Sequence, residues 1–408
     1  MDDTGRLIQE TVHMAERLVT DRERRHRLAR RHAIAPAHRV TTPEEATVAM
    51  TVLHATEAPS IYLSVAARTD ATVQDVDRAL YDDRSLVRQL AMRRTLFVFP
   101  RDLLPAAWGS AAARVAEAER RRIARNVEED GRAADGFAWL DTRRDEIEVL
   151  LREHGALSAQ KIREALPELD VKVATSATSR WGGPTPVAPR VLNLLGASAV
   201  LARGPNAGIW RANRPTWTLM DDWLGTDPAP LPSRDGYPEL VRRWLRTFGP
   251  GTETDLVWWL GSTKAAARVT LTDVAAVEVD LEGGGTGWLL PDDLEPEPPV
   301  DPWAALLPGL DPTTMGWKQR DFYLDPEHTA YLFDTAGNGG TTVWWDGRIV
   351  GCWVQDPDGV VVPVLREDVG ADGDAAIAAE AERLTRWLDG QVIRSVYASA
   401  QMKRARLP

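Results

Sequence analysis

Leu151-Arg-Glu-His-Gly155, followed by Ser158, Ile162 and Leu166, is written a second time as Leu245-Arg-Thr-Phe-Gly249, followed by Thr252, Leu256 and Leu260, every position offset by 94. Each copy reads as a helix that stops at glycine, the residue suited to a helix C-cap. A Ser or Thr follows three residues later and starts the next helix by accepting from its free N–H groups. Apolar residues seven and eleven after the glycine face a core. A third helix follows in both copies, at Pro189–Ala197 and at Ser262–Thr272. Each copy then ends in a hairpin. In the first, Val200–Arg203 and Ile209–Arg211 flank the turn Gly204-Pro-Asn-Ala-Gly208; in the second, Val277–Leu281 and Trp288–Leu290 flank Gly283–Gly285. Three helices and a strand ladder are the order of a winged helix-turn-helix, and an internal repeat of this kind predicts tandem units.

Working outward, the N-terminal part reads the same way. A helix over 5–31 is expected, rich in arginine from Arg22 to Arg31. Thr42-Pro43-Glu44-Glu45 is a strong helix start, a cap followed by proline and two acids, and predicts a helix over 43–53. Pro59–Arg68 and Thr72–Tyr81 follow as helices, and Leu86–Pro100 as a strand pair. Proline-rich stretches at Asp227–Arg234 and Asp292–Pro302 read as linkers. From Trp303 onward the pattern is β-rich, with Asp346-Gly347 as a hairpin turn, and Ala375–Leu388 is a further helix. The fold expected is α+β, with three tandem winged helix-turn-helix units at 1–130, 131–226 and 235–300 and a C-terminal β-rich region at 301–408.

The net charge of −11 is unevenly spread. Residues 1–128 hold 21 Arg and no Lys against 18 acids, about +3, so the remainder carries about −14. An Arg-only N-terminal part suggests a nucleic-acid face, because affinity follows the local field and not the global sum. A solvated acidic surface accounts for the rest. The acidic start Met1-Asp-Asp-Thr-Gly5 is no signal peptide, and apolar stretches such as Val48–Leu53 are too short to cross a bilayer. With Cys352 the single cysteine, no disulfide within the chain and no cysteine-based zinc site is expected. The expectation is a cytoplasmic protein, without metal or organic cofactor. The seven histidines show no ligand spacing, and neither a phosphate-binding Gly-Lys-Ser/Thr loop nor a Gly-x-Ser-x-Gly elbow is present.

Several stretches together carry a resemblance. They are Arg25–His32, Ala49-Met-Thr-Val-Leu-His-Ala-Thr-Glu-Ala-Pro59, Leu86–Thr95, Leu307-Pro-Gly-Leu-Asp-Pro312 with Met315-Gly-Trp-Lys-Gln-Arg320, and Asp346-Gly-Arg-Ile-Val-Gly-Cys-Trp353. In this order they resemble the AlkZ/YcaQ-like winged-helix DNA-binding superfamily, whose characterised members are DNA glycosylases. The resemblance implies a monofunctional glycosylase that removes bulky or alkylated N7-purine adducts from double-stranded DNA, in repair or in protection of a genotoxin producer. It also implies a monomer working without a cofactor. The family's catalytic Gln-x-Gln or Gln-x-Asp falls where this chain has His54-Ala55-Thr56, as in a subgroup with His-Ala-Thr-Asp/Glu.

An N7-alkylated guanine is already a cation, so the enzyme has to place water and stabilise an oxocarbenium-like sugar. His54 is the candidate to orient or deprotonate that water. Thr56 offers a hydroxyl, and Glu57 a carboxylate for the base or for the sugar cation. Arg93, Arg94 and Thr95 sit at the base of the expected first wing, and the resemblance turns them to DNA, where arginine contacts phosphate. Arg27, Arg30 and Arg31 on the basic helix, Arg68, and Lys318, Arg320 and Asn338 in the C-terminal region complete the DNA-binding candidates. Two other readings stay open. A non-catalytic regulator or lesion sensor fits the missing glutamines, and a protein-binding scaffold fits the acidic C-terminal part.

Overall fold

The computed structural model describes residues 17–173, 183–395 and 397–405. Helix α1, Asp21–Arg31, is capped by the Thr20 side chain, which accepts from Glu23 N. The helix expected over 5–31 is therefore shorter: Leu18–Val19 form a short strand parallel to a later hairpin, and residues 5–16 lie outside the described residues. Helix α2, Pro43–Ala49, has the full capping box promised by Thr42 and Glu45. It stops four residues early because Thr51 adopts φ 63°, and Leu53–His54 enter a sheet as strand β1. Helix α3, Ala58–Ala66, follows. The helix expected at 72–81 is a short α-turn, Val73–Asp77, continued by a wider turn to Asp82. Strands β2, Leu86–Leu90, and β3, Leu96–Pro100, make the hairpin, and β1 adds to β3 with His54 opposite Phe97.

Helices α4, Ala113–Glu129, and α5, Gly136–His154, lead into the first repeat copy. Gly155 ends α5 at φ 70° and Ser158 caps α6, Ala159–Ala165. Helix α7, Ala188–Ala197, precedes strands β4, Leu201–Asn206, and β5, Pro215–Leu219. The return strand lies later than the expected Ile209–Arg211, which is a turn closed by Ala212 N to Ile209 O; Thr216, Trp217 and Thr218 are the better strand formers. In the second copy α8, Ser233–Phe248, α9, Glu253–Leu260, and α10, Lys264–Asp273, precede strands β6, Val277–Leu281, and β7, Thr286–Leu289. A four-stranded antiparallel sheet closes the order: β8, Ala304–Leu307; β9, Thr342–Trp345; β10, Arg348–Gln355; β11, Val361–Leu365. Asp346 and Gly347 turn between β9 and β10 with positive φ, as the hairpin reading requires. Helix α11, Gly370–Leu388, packs on that sheet.

The parts are tied by buried arginines. Arg68 is fully buried and forks onto Asp311, Nη2 to Oδ1 and Nη1 to Oδ2, both at 2.8 Å. Asp311 also accepts from Ser64 Oγ and Thr313 N, so the Leu307–Pro312 motif joins α3 to the β-rich region. The second linker is no free tether: Asp293 and Glu297 take Arg27 and Arg31. No helix among the described residues is long and apolar enough to cross a membrane.

Candidate functional site

His54 is 7% exposed, T-shaped against Phe97, and lines a cavity of about 10 Å³ with Met50, Arg93, Phe248, Trp259 and Met315. That volume is at the threshold for one water molecule. His54 Nδ1 has no protein partner. Burial first, then the Arg93 charge, lower its pKa to about 3. The ring is therefore neutral at physiological pH, and a lone pair is free to accept.

Arg93 stands at the tip of the β2–β3 hairpin, where Arg93 and Arg94 both take positive φ. Its guanidinium lies 3.9 Å over the Trp258 ring on α9, and that of Arg320 lies 5.4 Å from the same ring. Arg320 also sits 4.6 Å over Phe333. Neither arginine makes an ion pair with a carboxylate among the described residues. Arg93 Nε and Arg320 Nε and Nη2 are buried nitrogens without a partner. Burial, then the Arg320 charge, bring Arg93 down to about 10, so it remains a cation. Two guanidiniums without a carboxylate partner, Arg320 also meeting the Tyr323 hydroxyl, share one aromatic platform beside a neutral imidazole and make an anion-seeking patch.

Two residues hold this patch in place. Arg114 donates to the carbonyls of Leu260 and Gly261, fixing the C-terminus of α9 against the hairpin tip. Asp255, fully buried, accepts from Lys318 N at 2.7 Å and Gln319 N at 2.8 Å while closing the Thr252 capping box of α9. The same carboxylate thus starts the helix that carries Trp258 and ties down the loop that carries Arg320.

The remaining candidates divide. Thr56 is half-buried beyond the end of β1, and its carbonyl accepts from Asn213 Nδ2 at 3.3 Å. Glu57 precedes α3, accepts from Ser395 Oγ at 3.0 Å and lines a separate cavity of about 210 Å³. Neither lines the His54 cavity. Arg94 is exposed and pairs with Glu119 at 3.2 Å; Thr95 is half-buried beside it. Lys318 is exposed at the rim. Arg27, 2% exposed, and Arg68 are corrections to the DNA-facing expectation, since burial and carboxylate partners withhold them from a ligand. Arg31 is bidentate on Asp293, and Arg30 is engaged by Glu297 and the Pro299 carbonyl. Arg27, Arg30 and Arg31 are thus engaged by the acidic linker, which periodicity within α1 gives no sign of. Asn338 closes a turn on Asp334 through Nδ2, 2.9 Å to Oδ2.

The AlkZ-like model, described as DNA glycosylase AlkZ-like, matches residues 47–387. The chain belongs to the AlkZ-like DNA glycosylase family. A curated relative named as an interstrand DNA cross-link repair glycosylase, from Streptomyces sahachiroi, is 31% identical over 195 residues, 45% of this chain and 49% of that protein. The match thus spans about half the relative's length. The solved structure of Streptomyces sahachiroi DNA glycosylase AlkZ superposes with a TM-score of 0.68 and 22% identity, over 92% of this chain and 97% of that one. It bears out the mixed helix-and-sheet architecture.

Sequence reasoning missed Trp258, Asp255 and Arg114 in this family member. Asp255 had a signal, because Thr252-x-x-Asp255 is a capping-box pattern. Trp258 and Arg114 act across units far apart in sequence, and no local pattern marks such contacts.

Proposed function

We propose that this AlkZ-like family member is a monofunctional DNA glycosylase that hydrolyses the N-glycosidic bond of bulky or alkylated N7-purine adducts in double-stranded DNA, acting as a cytoplasmic monomer. One observation supports the substrate class: no carboxylic acid that could protonate a leaving base lines the small cavity at His54. The ionisable residues lining it are a histidine held neutral and an arginine held cationic. A neutral purine leaves poorly without protonation; an N7-alkylated purine is already a cation and needs none. No amine lines the cavity either, which favours water over an enzyme amine as the nucleophile.

In this reading His54 Nδ1 accepts from the attacking water, so that the water oxygen points at C1′. As the C–N bond breaks, positive charge builds on the sugar and the neutral alkylated base departs. The water proton passes to His54, whose conjugate acid is unstable in its buried place and gives the proton back to solvent. Arg93 and Arg320 grip the backbone phosphate beside the damaged nucleotide, with Arg94, Thr95, Lys318 and Asn338 around them. Thr56 and Glu57 lie beyond the strand end, outside the His54 cavity, and take no part in this step.

A duplex carrying one bulky N7-alkylguanine, incubated with the protein and then treated with hydroxide, tests this. Strand cleavage is expected with wild type and should fall at least a hundredfold with His54→Ala, in line with general-base contributions. Cleavage unaffected by His54→Ala would move the chemistry to Glu57. No cleavage of an adduct that the protein binds would favour a lesion sensor.

A further inference from the structure

A second arginine site lies outside the His54 patch. Between α6, α7 and the β4–β5 hairpin runs an open groove of about 630 Å³, lined by Gln160, Asn193, Arg203, Asn213, Arg214 and Trp217 among others. No carboxylate lines it. Arg203 stacks 4.5 Å over Trp217 and donates to Asn193 Oδ1 at 2.5 Å. No described carboxylate pairs with it. Its neighbour Arg88 is likewise spent on neutral oxygens, the Gly204 carbonyl and Asn206 Oδ1. Burial and then Arg88 lower Arg203 to about 9, so it still carries its charge at neutral pH.

This differs from several other arginines outside the His54 patch that lack an acid. Arg84, Arg101 and Arg114 are consumed by carbonyls at helix ends. Arg203 faces a groove, with the exposed Arg214 on the rim and three side-chain amides around it. The groove also reaches the motif loop, because Asn213 donates to the Thr56 carbonyl. In helix-turn-helix proteins the neighbourhood of the last helix and its wing is where a duplex backbone passes.

We infer that this groove seats the sugar-phosphate backbone of the duplex flanking the lesion, with Arg203 and Arg214 as phosphate contacts. The inference rests on the DNA reading above and extends the footprint from the His54 patch into the first repeat copy.

The test is binding of an undamaged duplex, followed by fluorescence anisotropy across a salt series. Arg214→Ala removes an exposed charge. Gln160→Glu places an anion at the rim, in the first turn of α6, where acids favour the helix; this offsets the like charge of Glu164, the present partner of the Gln160 amide, so the fold should hold. Each variant is expected to weaken binding about three- to tenfold at low salt, and Arg214→Ala to reduce the log–log salt slope by about one. Unchanged affinity and slope in both variants would overturn the proposal. Wild type that binds and excises while both variants bind normally sinks the groove alone. Wild type that binds through the groove but excises nothing sinks the glycosylase reading and leaves the groove standing. Wild type that does not bind duplex refutes both.

Discussion

Replacing Asp255 should release the Arg320 loop from Trp258 and so lower DNA affinity from a position that touches no ligand. Its carboxylate accepts four hydrogen bonds: Lys318 N at 2.7 Å, Gln319 N at 2.8 Å, Thr252 Oγ1 at 2.8 Å and Thr252 N at 3.1 Å. Hydrogen bonds to a charged group contribute about 1.5–3 kcal/mol each, so four at the low end would come to about 6 kcal/mol. The two loop N–H groups regain water when the loop swings out, so Asp255→Ala should cost about 3 kcal/mol. Asp255→Asn keeps Oδ1 for the loop but turns an NH₂ toward the Thr252 N–H, donor against donor. It should cost about 1–2 kcal/mol and leave Arg320 in place. Urea unfolding gives the stabilities, and duplex binding across a salt series gives the function. Asp255→Ala should lower the salt slope by about one, the signature of one lost phosphate contact, while Asp255→Asn should not. Equal slopes in wild type and both variants, with the stability loss as expected, would refute the link between Asp255 and the phosphate grip.

Arg93→Ala and Arg320→Ala should each weaken lesion-duplex binding and excision, whereas Arg68→Met should leave the salt slope of binding unchanged and lower stability by about 3–5 kcal/mol in denaturant titrations, because it strands Asp311 as a buried unpaired charge. His32 and His54 both have folded pKa values of about 3 against 6.5 unfolded. Below pH 6.5 the unfolded chain binds protons that the folded one refuses, so their stabilising effect is full above pH 6.5 and is lost as pH falls toward 3. His54→Gln should therefore flatten the acid limb of a stability–pH profile, measured by thermal melts between pH 4 and 7. For the same reason the excision rate should show no inflection from His54 between pH 5.5 and 8.

Much of this arrangement was legible in the sequence. The repeat at Gly155 and Gly249, the caps at Ser158 and Thr252, and the Asp346-Gly347 turn are local devices, each set by one or two residues, and the structure has all of them. The failures have a common cause. His54 reads as a helix end because Pro43 to Leu53 looks helical, yet pairing with Phe97 draws Leu53–His54 into a sheet. Arg27, Arg31 and Arg68 read as solvent-facing, yet their partners Asp293, Glu297 and Asp311 lie more than two hundred residues away. Charge along a helix shows where cations are and not which of them are already neutralised. The candidate site is thus half visible: His54, Arg93 and Arg320 from the sequence, Asp255 as a helix start only, and Trp258 only from the packing of α9 on the β2–β3 hairpin.

The central claim is that the site has no acid for the leaving base and so acts on purines that alkylation has already made cationic. Base release should be compared on two duplexes that differ in one residue, 7-methylguanine against hypoxanthine, with hydroxide-labile sites as the readout and His54→Ala as the control. The account predicts His54-dependent cleavage at 7-methylguanine and none above background at hypoxanthine. Comparable release of both bases would show that a proton donor is at work and contradict it.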